Sequence, residues 1–222
     1  MAKIENNLLN IQEQIVKAKQ RANSDQTVNI IAVTKEVDVT RTKEAIEAGL
    51  THLGENRPEG LTNKLQSINS NVSWHYIGSL QTRKVKQVIN DIDYLHSLDR
   101  LSLAEEIEKR ATKAVKCFIQ VNVSGEESKH GLTKQQTLEF VKQLGQFSKI
   151  IVVGLMTMAP FTEDETVIRQ VFKQLKQLQQ EVSQLNIPNV PCTELSMGMS
   201  NDYEIAVEEG ATFVRIGTAL VG

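Results

Sequence analysis

The chain has 222 residues, with 25 lysines and arginines against 27 aspartates and glutamates, for a formal net charge of −2. That balance, together with aromatics at only 5%, excludes a basic or base-stacking surface for nucleic acid. The length can bury a substantial core, and the two cysteines, Cys117 and Cys192, match no metal-ligand spacing and read as buried free thiols of a reducing compartment.

At the N-terminus, Ile4, Leu8, Ile11, Ile15, Ala18 and Ala22 alternate spacings of four and three and so line one face of a helix. Glu5, Gln12, Lys17 and Lys19 fall among them, so the segment is no signal-peptide core. No stretch approaches the roughly 20 apolar residues that span a bilayer, and a soluble, cytoplasmic protein without a membrane partner is expected.

Short β-branched runs follow. The expected strands are VNIIAV from Val28, HLGEN from His52, VSWHYIG from Val72, DYLHSL from Asp93, KCFIQVNV from Lys116, KIIVVGLMTM from Lys149, TELSMG from Thr193 and TFVRIG from Thr212. Several are near-continuously apolar, as parallel strands buried on both faces require. Between them, helices are expected from Thr40 to a C-terminal glycine at Gly49, across LDRLSLAEEIEKRATKA, and from Glu163 to Leu185 with Val167, Val171, Leu175, Leu178, Val182 and Leu185 on one face. Eight strands alternating with helices, and no Pro/Gly/Ser-rich linker, predict a single (β/α)8 TIM barrel over residues 1–222. The first helix is then an extra element, placed over one barrel mouth. No G-x-G-x-x-G or G-x-x-x-x-G-K-[ST] pattern occurs, which removes support for dinucleotide or P-loop chemistry.

Such a barrel carries its chemistry at the C-terminal strand ends. In order these give Lys35; Glu55, Asn56 and Arg57; Gly78 and Ser79; Asn122 with the loop SGEESKHG; Met156 to Met158; Ser196, Gly198, Met199, Ser200 and Asn201; and Arg215, Gly217 and Thr218. Lys35 is either a solvent-seeking lysine or a partly desolvated amine able to form a Schiff base. The small residues at Gly198–Asn201 and Gly217–Thr218 could admit an anion to backbone N–H groups; Ser200 could equally be an ordinary helix N-cap. His75 reads as an interior strand residue, and His96 and His130 lack partners at metal-ligand spacing, so no metal is expected. Met156 and Met158 read as core or pocket wall, Asp202 and Glu204 as first-turn acids, and Glu105, Glu106, Lys109 and Arg110 as an exposed helical face.

Together AVTK, HLGEN, WHYIGSLQTRK, NVSGEESKHGL, GLMTMAP, LSMGMSND and VRIGTALVG resemble, in order and along essentially the whole chain, the pyridoxal phosphate homeostasis protein family. The barrel of that family is similar to the N-terminal domain of alanine racemase. The resemblance implies pyridoxal 5′-phosphate (PLP) held as a Schiff base on Lys35, its phosphate on Ser200, Gly217 and Thr218, and Ser196, Gly198 and Met199 shaping that cradle. It places Arg215 at the pyridine nitrogen and Asn56 near the ring. Ser79 stands where members often have a histidine, and Arg83 where asparagine is common, so no role carries over to either.

A guanidinium beside the ring nitrogen is a permanent cation with donors only, so the ring should be a weak electron sink. Racemisation tolerates such a partner but needs bases on both faces of the substrate, of which Lys35 can serve one. In alanine racemase a tyrosine of an additional C-terminal domain supplies the other, whereas this chain stops after its last barrel motif. None of Tyr76, Tyr94 and Tyr203 falls at an obvious strand end. The expectation is therefore a monomeric, non-enzymatic protein that stores, buffers or delivers PLP to apo PLP-dependent enzymes. The alternatives are a PLP-dependent racemase or related enzyme, and a cofactor-free Schiff-base aldolase.

Overall fold

A computed structural model of the chain describes residues 2–126 and 130–222. All eight expected strands form: β1 (Asn29–Val33), β2 (His52–Glu55), β3 (Ser73–Tyr76), β4 (Tyr94–Leu98), β5 (Val115–Gln120), β6 (Ile150–Met156), β7 (Glu194–Met199) and β8 (Phe213–Ile216). Each pairs in parallel with the next, and β8 returns to β1 to close the barrel. Closure leaves no sheet edge, and the parallel order puts every C-terminal strand end at one mouth.

The helices are α1 (Ala2–Arg21), α2 (Val39–Glu47), α3 (Pro58–Ser67), α4 (Val85–Val88), α5 (Leu101–Arg110), α6 (Lys134–Leu144), α7 (Glu165–Ser183), α8 (Tyr203–Glu208) and α9 (Thr218–Val221). Their starts follow capping chemistry. Asp38 accepts from Arg41 N–H at α2, Pro58 opens α3, Thr133 and Gln136 form a capping box at α6, and Asp164 accepts from Thr166 and Val167 N–H at α7. Along α7 the buried face is Ile168, Val171, Phe172, Leu175, Leu178 and Val182, each contributing about 1.5–3 kcal/mol of burial. Val167 and Leu185, expected on that face, are 41% and 37% exposed because they flank its ends.

The placement of α1 differs from expectation. Its apolar face is buried as the spacing requires, but it covers no mouth: it packs in the outer layer against α8, α9 and α2. Asn7 donates to Leu220 O at 3.0 Å, and Arg21 binds Glu204 and Glu208. The reason is the size of its neighbour in that layer. The helix after β8, α9, has only four residues, and α1 supplies the long helix that completes the ring there.

Inside the barrel, Ile31, Phe118, Met156 and Phe213 form a small apolar cluster, separate from the main core between strands and helices. Tyr94 and Val153 pack against this cluster, and polar inward residues beside it lead to the site.

Candidate functional site

Lys35 directly follows Thr34 beyond β1 and is exposed. Of the two readings of this residue, the structure shows the solvent-facing one: β1 ends at Val33, two residues before Lys35, and the side chain is released into an open mouth. Beneath it lies a fixed base. Glu55, the last residue of β2, and Lys64 of α3 form an ion pair at 2.5 Å with side chains 1% and 4% exposed. Thr34 donates its hydroxyl to Glu55, and Lys64 donates to the Thr34 carbonyl. A buried charge needs partners of this kind, and both meet Glu55 at Oε1, which ties down the strand end just before Lys35. A Cβ on Gly60 would sit 2.8 Å from Glu55 Oε2, so glycine lets α3 approach the pair.

Two strands away around the mouth, Gly198 adopts φ +91°, where a Cβ would stand 2.5 Å from Ala206 Cβ and 3.0 Å from Tyr203 Cα. Glycine therefore allows the loop after β7 to fold onto α8. The α8 N-cap is Asp202, not Ser200. The Asp202 carboxylate accepts from Met199 N–H at 2.6 Å, and burial raises its pKa against that hydrogen bond and the Arg215 charge. Among the described residues, the N–H groups of Ser200, Asn201, Gly217, Thr218 and Ala219 meet no acceptor in the fold. The two loops leave adjacent strands, with Met199 opposite Arg215 in the ladder. Free N–H groups, two hydroxyls and small residues on neighbouring strand ends fit a phosphate dianion. A groove of about 660 Å³ bounded by Ala159, Phe161, Met199, Ser200 and Ile205 runs along the first of these loops.

Arg215 is 5% exposed. It donates Nη1–H to Ser196 Oγ at 2.6 Å and Nη2–H to Thr157 O at 2.9 Å. Burial pushes its pKa down to about 10, with Asp202 opposing the shift, so it remains a cation at neutral pH. Ser196 is fully buried and faces the barrel interior, where it also contacts His96 Nδ1 at 2.9 Å. From there a column continues: His96 Nε2 to His75 Nδ1 at 2.9 Å, then His75 Nε2 to His52 Nδ1 at 2.9 Å. His75 stacks on Tyr94 with centroids 4.3 Å apart, and His96 on Phe118 at 4.4 Å. Burial holds both rings well below the ordinary histidine range.

Of the residues singled out in the sequence, Asn56 is half-buried at the end of β2, Met199 is exposed, and Ser79 and Arg83 are exposed. Tyr76 does end β3, contrary to expectation, but its buried ring packs in the outer core and burial raises its pKa to about 12. In the loop SGEESKHG, Glu127, Ser128 and Lys129 lie outside the described residues. Among the described residues no group of three or more metal-ligating side chains occurs, and no helix is long and apolar enough to cross a membrane. Sequence reading missed the Glu55–Lys64 pair and the histidine column, in which His75 and His96 had been read singly.

Residues 7–222 match the family described as alanine racemase, N-terminal domain. The chain is 39% identical over 220 residues to the pyridoxal phosphate homeostasis protein of Aquifex aeolicus, covering 97% of this chain and 96% of that protein. It is 34% identical to the protein of the same name from Pasteurella multocida, covering 99% and 97%. Among solved structures it resembles PipY of Synechococcus elongatus with PLP bound, with a TM-score of 0.86 and 30% identity over 99% of this chain and 100% of that one.

Proposed function

The chain belongs to the pyridoxal phosphate homeostasis proteins, within the alanine racemase N-terminal domain family, and on that premise we propose that it holds PLP covalently on Lys35 as a store or donor rather than as a catalyst. Bound there, the cofactor brings an aldehyde for the lysine amine and an electron-withdrawing ring. Lys35 supplies the amine from a strand end fixed by Glu55 and Lys64. Ser200, Gly217 and Thr218 hold the phosphate through their hydroxyls and N–H groups, and the turn at Gly198, with Met199, shapes that cradle. Asn56 borders the ring. Ser196 belongs behind Arg215, with its hydroxyl in the interior hydrogen-bond column.

The observation that carries the non-enzymatic reading is Arg215. Its guanidinium is buried, held by two acceptors and still cationic. Facing the ring nitrogen, it donates and cannot accept, so it leaves the ring a weak electron sink and disfavours most carbanion chemistry, racemisation being the exception that the test below addresses. The same reading takes residues 1–222 as one domain acting as a monomer in the cytoplasm, with apo PLP-dependent enzymes as recipients. The test is incubation of loaded protein with L- and D-alanine beside an apo PLP-dependent enzyme. Recovery of that enzyme's activity without racemisation supports a donor; sustained racemisation abolished by Lys35→Ala contradicts it.

A further inference from the structure

The histidine column has a direction, and Arg215 dictates it. Ring orientation alone does not say which nitrogen carries hydrogen. Arginine offers donors only, so one lone pair of Ser196 Oγ is taken by Arg215 Nη1–H. Among the described residues the other partner of that oxygen is His96 Nδ1. Ser196 is fully buried, and its hydroxyl hydrogen would be orphaned unless it pointed there. His96 Nδ1 is therefore the acceptor, and its hydrogen sits on Nε2, facing His75 Nδ1. The same argument places the His75 hydrogen on Nε2, facing His52 Nδ1. Every bond in the column points away from Arg215 and towards the opposite mouth.

We propose that this one-directional column positions Arg215 and transmits the protonation state of His52 to it, so that the group facing the cofactor ring responds to a proton bound at the far mouth of the barrel. The cofactor half of the proposal rests on the function proposed above. His52 is the accessible terminus: it is half-buried and lines a cleft with Lys19, Asn29 and Thr51. A proton can add only at Nδ1, the atom that accepts from His75. Two N–H groups then face each other, the bond between the rings is lost, and the outward polarisation reaching Ser196 falls with it. The proton goes no further than the column, because the guanidinium has no acceptor.

The surrounding charges set where this happens. Burial disfavours the protonated His52, Asp93 favours it and Lys116 opposes it, for a net lowering; Lys19 lines the same cleft. His75 faces Lys116 and its two neighbouring rings, and His96 faces Arg215, which Asp202 partly balances. Burial keeps the two inner rings neutral, so acidification reaches His52 first.

The test is ¹⁵N NMR of the histidine and arginine side chains through an acid titration, with the cofactor band of loaded protein followed in parallel, for wild type, His52→Gln and Ser196→Ala. Glutamine at 52 retains an acceptor for His75 but cannot titrate. The expected result is Nε2–H tautomers at His75 and His96. In wild type the Arg215 signal and the cofactor band should both move with the His52 midpoint, below about 6.5. Both should stay flat over that range in His52→Gln. In Ser196→Ala, His52 should titrate without an Arg215 response. An Nδ1–H tautomer at His96, or an Arg215 signal that titrates identically in His52→Gln, overturns the proposal. The Arg215 signal is readable without cofactor, so failure to load PLP would refute the cofactor reading while the column is still decided. A band that stays flat while Arg215 moves would overturn the transmission to the ring.

Discussion

Replacing Lys64 with methionine should destabilise the fold far more than its position on a helix suggests. The methionine stem fills much of the lysine volume, so cavity formation contributes little. What is lost is the Nζ contact to Glu55 and the donor to the Thr34 carbonyl. Glu55, 1% exposed, keeps only the Thr34 hydroxyl and must be desolvated without a counter-charge. Breaking a buried pair from one side costs about 3–5 kcal/mol. For a chain of this size that is roughly 6–20 °C in Tm. Urea denaturation followed by the fluorescence of Trp74, the single tryptophan and itself buried, measures it. The double variant Glu55→Leu with Lys64→Met removes both charges and should recover most of the loss. A loss below about 1 kcal/mol in Lys64→Met would refute the view that this pair is a desolvated clamp, since that is the range of surface pairs.

Gly198→Ala places a Cβ against Ala206 at a backbone angle that L-residues avoid. It should cost about 1–3 kcal/mol and weaken PLP binding, as read by calorimetric melting and by PLP titration. The two inner histidines make stability acid-sensitive. Their folded pKa values lie well below the unfolded value near 6.5, so the unfolded chain takes up protons first. Their contribution is full above about pH 6.5 and falls below it, by up to about 1.4 kcal/mol per pH unit for each ring. Urea midpoints at about pH 7.5 and about pH 5 check this, and equal stability at both would contradict it. Both thiols are buried, with pKa values pushed up to about 12. Ellman's reagent should therefore react with neither in native protein and with both in denaturant.

The strands were legible because β-branched apolar runs buried on both faces are local signals, and their ends supply Lys35, Ser200, Arg215 and Gly217 as candidates. The sequence assigns no helix at α3, α4, α6 or α9; α4 and α9 have four residues each, too little of a helical period to register, whereas α8 is anticipated by its first-turn acids Asp202 and Glu204. The role of α1 depended on how short α9 is, which is a fact about the opposite end of the chain. The histidine column joins β2, β3, β4 and β7, and no local pattern contains it. The link between two of its rings comes from the register of the folded sheet: His75 pairs with Tyr94, so His96, two residues further on, shares its inward face. Glu55 was visible as a strand-end acid, but its partner lies nine residues on, on a helix whose register the sequence left open.

The most direct measurement is the visible spectrum of PLP-treated protein before and after borohydride, with peptide mass mapping beside Lys35→Ala. The account requires a band that disappears on reduction and a pyridoxyl mass fixed on Lys35, both missing from the variant. No band, or a pyridoxyl mass on another lysine with Lys35 unmodified, would contradict it.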